Sequence, residues 1–458
     1  RDNDGRSPGY YAGGNDKLKG TDLHHLLYDA ADGFTELCKT GPTDRIKAAI
    51  QTGANLNARD NDEKTPLHWA AAYNTDPEAI LALVDAGADI NALEKDGETP
   101  LQSAAWQNDH PAITAALLKA DADVKRHNSY GNTSLHTAAR NNPNPEVVAV
   151  LLKAGAELNV RNAAGETPLL RAARYNPNPE VARALLKAGA NPLVRDNDGR
   201  SPGYRAGGND KLKDTDLHRL LYDVADGFME LCKSGPTDRI KVAIKAGADL
   251  EARDKDGNTP LHLAAWGNPN PEVPRALLEA GADIKSQTWE GYTPLHMAAW
   301  NNAVPDVAAA LIEAGADVMA MNNRYVNTPL HMAARYNLNP EVVEALLKGG
   351  AEMDARNSDG ETPLLRSARY NTNPEMTAIL LKFGANPIIR DYDGRTPSYY
   401  AGSNGKLKGT NLHRLLHDTA DGFMELCKTG PTDRIKAAIE AGAELDMRDR
   451  DGNTPLHL

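Results

Sequence analysis

The sequence predicts an all-α solenoid, a curved superhelical stack of helix-turn-helix repeats with short β-hairpin fingers. Three observations lead to this prediction. A Thr-Pro-Leu motif returns about every 34 residues, each period carries two short apolar stripes, and a longer repeat of 194 to 195 residues overlies the first. Two short helices with one narrow stripe each bury too little apolar surface to fold alone, so successive pairs must stack.

Residues 258–283 contain all the elements of one repeat. Thr259 can cap a first helix that begins at Pro260, where a missing N–H has no cost. Asn268 stands where this helix must end, and we expect it to adopt the left-handed conformation. A second helix begins at residues 270–271 and ends at Gly281. The inner face of the first helix is a stripe of Leu261, Ala264 and Ala265.

The same sequence motif recurs at the same position of each repeat along the chain. Its capping threonines are Thr65, Thr99, Thr133, Thr167, Thr259, Thr293, Thr328, Thr362 and Thr454. The phrases between repeats, such as residues 253–259, are predicted to be the turns of the fingers, with Gly257 as the permissive residue. Glu63 replaces this glycine in one finger and residues 322–327 lack it, so we expect those two fingers to be looser or differently turned.

Thr-Pro-Leu-His, paired alanines and Gly-Ala at this period resemble the ankyrin repeat. The tetrad, or its Ser variant, ends in His68, His136, His262, His296, His331 and His457. The resemblance implies that the first helices line a concave groove, that the tetrad histidine hydrogen-bonds the hairpin backbone, and that the general role is recognition of proteins. It implies no particular partner.

The longer repeat divides the chain into blocks at 1–194 and 195–389 and a partial block at 390–458, within one continuous solenoid. One repeat in each block has only 25 residues, and its second helix is predicted to run into the next repeat without a finger. We therefore expect a missing finger near residues 26–32, 220–226 and 415–421. Because neither end has a polar capping repeat, the chain is expected to be a segment of a longer array or to have its ends covered by other copies.

Composition excludes several classes of function. A net charge of −12 without a basic stripe argues against nucleic acid as a partner. There is no apolar run near twenty residues, so no membrane span is predicted. Cys38, Cys232 and Cys427 lie 194 and 195 residues apart, too far for pairing in a linear stack. Unpaired thiols favour an intracellular location, whereas a structural fibre would be extracellular.

No constellation of residues predicts catalysis, a cofactor or a metal site. Nine of the thirteen histidines occupy fixed positions of the repeat, and the chain has no phosphate-binding loop, nucleophile elbow or zinc-helix motif. The Asp-x-Asp-Gly phrase of the fingers lacks the other acids of an EF-hand. We therefore interpret these residues as parts of the turns. The alternative is that calcium ions bridge neighbouring acidic fingers.

The most informative position follows the alanine pair at the end of each first helix. The ladder consists of Trp106, Arg140, Arg174, Trp266, Trp300, Arg335 and Arg369, together with Tyr175, Tyr336 and Tyr370 beside three of them. Tryptophan, tyrosine and arginine dominate binding hot spots, so the ladder is a candidate partner-binding surface. Arginine stacked on aromatic rings would instead rigidify the groove. Both interpretations remain open at this stage.

Two functions follow from the sequence. The first is a non-enzymatic scaffold that holds protein partners through the groove and the finger tips. The second is a structural protein whose copies assemble into a filament, tube or surface fibre. Similarity between blocks favours the second function, because a protein that builds a fibre repeats the same surface along its length. The mixture of tryptophan and arginine within a block favours the first.

Overall fold

A computed structural model describes residues 33–448 and 452–458, together with Lys17, Lys19, Asp22 and Asp29. The described residues form 26 α-helices and one short 3₁₀ helix at Pro455–His457. They divide into two compact units, Arg1–Asp226 and Gly227–Leu458. The all-α solenoid is confirmed in each unit, because helices of successive repeats pack against each other in a repeating pattern.

The helices of the first unit alternate between first (odd-numbered) and second (even-numbered) helices of a repeat. Each odd-numbered helix packs against the next odd-numbered one, and from α2 to α10 each even-numbered helix packs against the next even-numbered one. Their bounds are α1 Phe34–Thr40, α2 Thr43–Gln51, α3 Pro66–Tyr73, α4 Pro77–Asp85, α5 Pro100–Gln107, α6 Pro111–Lys119, α7 Ser134–Asn141, α8 Pro145–Lys153, α9 Pro168–Tyr175, α10 Pro179–Lys187, α11 Pro202–Gly207 and α12 Asp216–Ala225.

The second unit repeats this arrangement. Odd-numbered helices pack in sequence from α13 to α23, and even-numbered helices from α14 to α22. Their bounds are α13 Phe228–Ser234, α14 Thr237–Lys245, α15 Pro260–Gly267, α16 Glu272–Glu279, α17 Pro294–Asn301, α18 Pro305–Glu313, α19 Pro329–Tyr336, α20 Glu341–Lys348, α21 Pro363–Tyr370, α22 Pro374–Lys382, α23 Pro397–Ser403, α24 Asn411–Ala420, α25 Phe423–Thr429 and α26 Thr432–Glu440.

The tetrad histidine ties each first helix to the next finger. The Thr259 N–H donates to His262 Nδ1 (3.1 Å), and His262 Nε2–H donates to the Tyr292 carbonyl (2.9 Å) in the next repeat. His296 makes the same bond to the Asn327 carbonyl at 2.9 Å. The role that the resemblance implied for this histidine is confirmed. Burial lowers the pKa of His262 and His296 from 6.5 to about 4.

The asparagine that ends each first helix does not adopt the expected left-handed conformation. Asn268 is extended, with φ −86° and ψ 121°, so this prediction was wrong. Its buried side chain instead bridges two repeats, because Nδ2 donates to the carbonyls of Cys232 (3.0 Å) and Gly235 (3.0 Å) while Oδ1 accepts from the Asn270 N–H (3.1 Å). The same asparagine frame holds at Asn74, Asn108, Asn142, Asn176, Asn209, Asn302, Asn337, Asn371 and Asn404.

The fingers are tight turns without regular strands in the described residues, where only an isolated bridge joins His127 and Thr133. The predicted β-hairpins are therefore turns closed by a side chain. The Asp254 carboxylate accepts the N–H groups of Asp256 (2.9 Å) and Asn258 (2.8 Å), and this arrangement replaces a strand ladder. Gly257 has φ +82°, which explains the preference for glycine there.

The two fingers without this glycine behave differently from each other. Glu63 itself takes φ +62° and its N–H donates to the Asp60 carbonyl (3.0 Å), as Gly257 does to Asp254. The expectation of a looser or altered turn at Glu63 was wrong. The finger at 322–327 has one more residue, with Val326 at φ +55° and the closing bond from Asn322 N–H to the Asn327 carbonyl (3.1 Å). That finger is differently turned, as predicted.

The missing finger of the short repeat is confirmed where the structure describes it. In the second unit, α24 ends at Ala420 and α25 begins at Phe423, so only two residues separate them. In the first unit, α12 occupies residues 216–225 without a finger. The prediction for 26–32 lies outside the described residues apart from Asp29.

The thiols of Cys38 and Cys232 are buried and Cys427 is half-buried, and all three are free. Burial raises the pKa of Cys38 and Cys232 to about 12. None of the described helices has the length and apolar character that crossing a bilayer requires.

Candidate functional site

The predicted ladder residues lie at the ends of the odd-numbered helices, beside the fingers. We call this side of each unit the groove face. In the first unit the guanidinium of Arg140 lies 4.5 Å from the ring centre of Tyr175, and that of Arg174 lies 4.7 Å from the same ring. Trp106 is 45% exposed. This part of the ladder is therefore one arginine–tyrosine stack and one exposed tryptophan.

The ladder of the second unit is more continuous. Trp266 meets Trp300 edge-on with ring centres 5.2 Å apart, and Trp300 stacks on Tyr336 at 5.0 Å. Arg335 then lies between two rings, 4.7 Å from Tyr336 and 4.1 Å from Tyr370. Arg369 continues the stack 4.7 Å from Tyr370. The structure brings together all six ladder residues predicted in this unit.

A buried glutamate holds the arginines from beneath in each unit, which the sequence analysis missed. Glu361 bonds the guanidinium groups of Arg366 (3.1 Å) and Arg369 (2.5 Å). Glu166 likewise pairs with Arg171 (3.5 Å) and Arg174 (2.8 Å). Burial lowers the pKa of both Arg366 and Arg171.

The signal for this cluster was present in the sequence. Leucine replaces the tetrad histidine at Leu170 and Leu365, and an arginine follows directly in each case. The glutamate precedes the capping threonine in both. In these two repeats leucine replaces the histidine, and a buried ion cluster beneath the groove face pairs with the arginine that reaches the surface.

Comparison with known families agrees with this architecture. The family model described as ankyrin repeats (3 copies) matches residues 70–162, 102–196, 135–222, 228–322 and 330–422. A second model, ankyrin repeats (many copies), matches residues 34–84 and 303–347. The chain belongs to the ankyrin repeat family. Ankyrin repeats are protein-interaction modules and the family is generally non-enzymatic, so this is an interaction repeat protein. No curated protein matches the chain.

Several side chains of the ladder stack on one another within the chain. Arg140, Arg335 and Arg369 each lie on a tyrosine of the chain itself, so internal stacking takes place. The outer surfaces of Tyr175 and Tyr336 nevertheless remain exposed. Partner binding by the ladder stays a prediction.

A cleft on the groove face of the second unit lies between two fingers and the first helices α13, α15 and α17. Its volume is about 600 Å³, and we call it the tryptophan cleft. Its walls are Trp266, Trp289, Tyr292, Trp300, Leu263 and Met297, with Asp254, Asp256, Asn258, Glu290, Lys233, Lys255 and Thr288 around them. Trp289 is 63% exposed; its ring packs on the Gly257 backbone and its Nε1–H donates to the Lys255 carbonyl (3.1 Å).

Sequence reasoning missed Trp289, Tyr292 and Met297 because they lie on fingers and inner helix faces, away from the ladder position. Comparing the blocks would have found them. The residues 194 positions earlier are Lys95, Glu98 and Ser103, so polar residues become large apolar ones at three places in a single cleft.

The described residues contain no group of three or more His, Cys, Asp or Glu side chains placed to hold a metal ion. The carboxylate of Asp254 has a structural task. Burial alone would raise its pKa, but hydrogen bonds from Asn258 and from the Asp256 and Gly257 N–H groups lower the pKa below its usual value. The hydrogen bonds to the Asp254 carboxylate are those of a turn.

Proposed function

We propose that the chain is a non-enzymatic scaffold that binds protein partners through its groove side chains and finger tips. One observation carries the proposal. Arginine and aromatic side chains emerge from successive first helices in a fixed stack, supported from beneath by Glu166 in one unit and Glu361 in the other. Side chains that are already ordered lose little conformational entropy when a partner binds, so more of the contact energy appears as affinity.

The residue types support a protein rather than a nucleic acid as the partner. Tyrosine, tryptophan and arginine are the side chains that most often dominate protein–protein interfaces. A chain with net charge −12 repels a phosphate backbone, and two of the four ladder arginines, Arg174 and Arg369, are already paired with buried glutamates.

Site-specific photocrosslinking tests this proposal. A photoreactive phenylalanine analogue replaces Tyr175 or Tyr336 on the groove face, and the control places it at Ile439, which is exposed on the second helix α26. In the cells that make the protein, we expect one distinct protein to be crosslinked from both groove positions and not from Ile439. Equal crosslinking from all three positions, or none from the groove, would refute the proposal.

Self-assembly into a filament, tube or surface fibre is the second candidate, and the block repeat favours it. The ion cluster of Glu166, Arg171 and Arg174 recurs 195 residues later at Glu361, Arg366 and Arg369, as one surface repeated along a building material would. In this case the groove crosslinks would join two copies of the chain. Electron microscopy of the native protein would then show continuous fibres with an axial repeat matching the block, and discrete particles of one length would reject this candidate.

A further inference from the structure

Most aromatic rings on the groove face are covered by a cation of the chain itself. Lys39 Nζ lies 4.2 Å from the ring centre of Trp69, and Lys64 Nζ lies 5.2 Å from it. The arginines described above cover Tyr175, Tyr336 and Tyr370 in the same way. A cation over an aromatic face is attracted by the negative potential of the ring. These rings therefore have their electrostatic partner already.

The tryptophan cleft is different. Among the described residues, neither Trp266 nor Trp300 has a lysine or arginine over its ring, although both rings line an open cleft of about 600 Å³. Tyr292 adds a third ring, 5.5 Å from Trp300. Three electron-rich rings thus meet in one cleft without the cation that the other stacks contain.

Two cations near the cleft, Lys233 and Arg253, have partners elsewhere, and the third, Lys255, is exposed on a finger. Lys233 stands 194 residues after Lys39, but its ammonium lies 3.6 Å from Glu230 on its own helix. The Arg253 guanidinium covers Trp289 at 5.3 Å while donating to the carbonyls of Gly257 (2.9 Å) and Gln287 (2.7 Å). The position of Lys64 is taken by Asn258 in this unit.

The remaining walls suit the rest of a lysine side chain. Leu263 and Met297 offer apolar surface to a methylene stem. The carboxylates of Asp256 and Glu290 are exposed at the lining of the cleft, where they attract an ammonium group. Glu290 also lies 3.6 Å from Arg324 in an exposed ion pair.

We propose that the tryptophan cleft takes the side chain of a lysine in a partner protein, with its ammonium over Trp266 and Trp300. This proposal rests on the proposed binding function and names the chemistry that one part of the groove recognises. The partner lysine does in the second unit what Lys39 and Lys64 do for Trp69 in the first. A lysine is favoured over other cations because the chain itself uses lysine at the equivalent place.

Fluorine NMR of the full chain labelled with 5-fluorotryptophan tests this, since the chain has five tryptophans and each gives a resonance. The probe is a nine-residue Gly/Ser peptide with one central lysine and blocked ends. Its twin carries norleucine, which keeps the stem and removes the charge. We expect the lysine peptide to shift the Trp266 and Trp300 resonances, to bind about tenfold more tightly than the twin, and to leave Trp69 unmoved.

Variants separate the cleft from general charge attraction. Trp266→Leu should abolish the shift at Trp300, whereas Trp69→Leu, which installs in the first unit the residue found at position 263, should leave binding unchanged. Asp256→Asn alters one exposed side chain without affecting the fold and should weaken lysine binding about twofold at low salt.

Equal binding of the two peptides, an equal shift at Trp69, or no shift at any tryptophan would overturn the proposal. Its failure is distinguishable from failure of the scaffold function. If Tyr175 and Tyr336 crosslink a partner while the lysine peptide shows no selectivity, the scaffold function is supported and the proposal of a lysine-binding cleft is rejected.

Discussion

Two clefts at equivalent positions, 194 residues apart, have the same framework and different walls. In the first unit Lys39 and Lys64 cover Trp69, and Trp69 Nε1–H donates to Asp60 (2.8 Å). In the second unit the place of Trp69 is taken by Leu263, and Trp266 stands where the first unit has Ala72. In the first unit two lysines of the chain cover the ring of Trp69. In the second unit no lysine or arginine of the described residues lies over Trp266 or Trp300, whose rings contact each other.

The comparison teaches that the repeat separates stability from recognition. Capping threonines and bridging asparagines recur in both units with the same geometry, for example Asn108 and Asn302. The side chains that differ most between the two clefts, such as those of Lys95 and Trp289, take no part in these threonine caps and asparagine bridges. A repeat array can therefore change what a cleft binds while its stacking is left intact.

The largest expected effect concerns the shared framework. Asn302→Ala removes bonds to the Ala265 (3.0 Å) and Asn268 (2.8 Å) carbonyls and leaves both unsatisfied in a buried site. We expect the free energy of unfolding to fall by about 3 kcal/mol, and Asn108→Ala to cost the same in the first unit. Denaturant titration with fluorotryptophan at Trp300 and Trp106 reports each unit.

The exposed neighbour substitution Gln107→Ala is the control and should cost less than about 0.5 kcal/mol. Unequal losses at Asn302 and Asn108, or losses as small as the control, would show that the asparagine frame is not a common support.

The second prediction uses a natural difference between the units. Gln102 stands where the second unit has His296, and its Nε2 donates to the Asn132 carbonyl (2.7 Å), so the tether is kept without a titratable ring. The folded pKa of His296 is about 4 and its unfolded pKa about 6.5, so the unfolded chain binds more protons between these values. Its stabilising contribution is complete above pH 6.5 and declines as the pH falls towards 4.

We therefore expect the free energy of unfolding of the second unit to fall between pH 7 and pH 5. His296→Gln should make this fall smaller by about 2 kcal/mol. The measurement is denaturant unfolding at pH 7 and pH 5, followed at Trp300. The same titration followed at Trp106 provides the control, because the first unit is unchanged. An unaltered difference between the two pH values at Trp300 would contradict the assigned role of the ring.

The sequence predicted the elements that recur in each repeat, and it missed side-chain contacts that join neighbouring repeats. The threonine caps, helix pairs and missing fingers follow from local chemistry repeated in register. The bridge made by Asn268 could not be predicted, because its acceptor carbonyls lie more than thirty residues away and only stacking brings them near. The clusters beneath the ladder were missed although their members belong to one repeat, only five and eight residues apart. Arg366 was indistinguishable from a surface arginine until Glu361 was placed against it.

The tryptophan cleft was missed because it combines residues from two fingers and three helices. Trp266 and Trp300 belong to the predicted ladder, whereas Trp289 and Tyr292 reach the same space from a finger. The ladder was predicted from one position in each repeat, taken separately, whereas this cleft forms only between neighbouring repeats.

The smallest expected effect sharpens the contrast between the clefts. Lys39→Met removes the ammonium from the face of Trp69 and keeps a stem of similar length. We expect a loss of about 0.5–1 kcal/mol in the stability of the first unit and a shift of the Trp69 fluorine resonance. Lys233→Met, at the equivalent position of the second unit, should leave every tryptophan resonance unmoved. Similar spectra for both variants would show that Lys39 does not act on the ring.

The most direct test of the account moves the walls of one cleft onto the other framework. The substitutions Trp69→Leu, Ala72→Trp, Lys95→Trp, Glu98→Tyr and Ser103→Met give the first unit the apolar walls of the second, and Lys64→Asn removes the lysine that has no counterpart there. The account predicts that the fluorotryptophan introduced by Ala72→Trp then responds to the lysine peptide, with an affinity within about threefold of that at Trp266 and tenfold above the norleucine twin. A folded variant without this response would contradict the claim that the projecting side chains decide what the cleft binds.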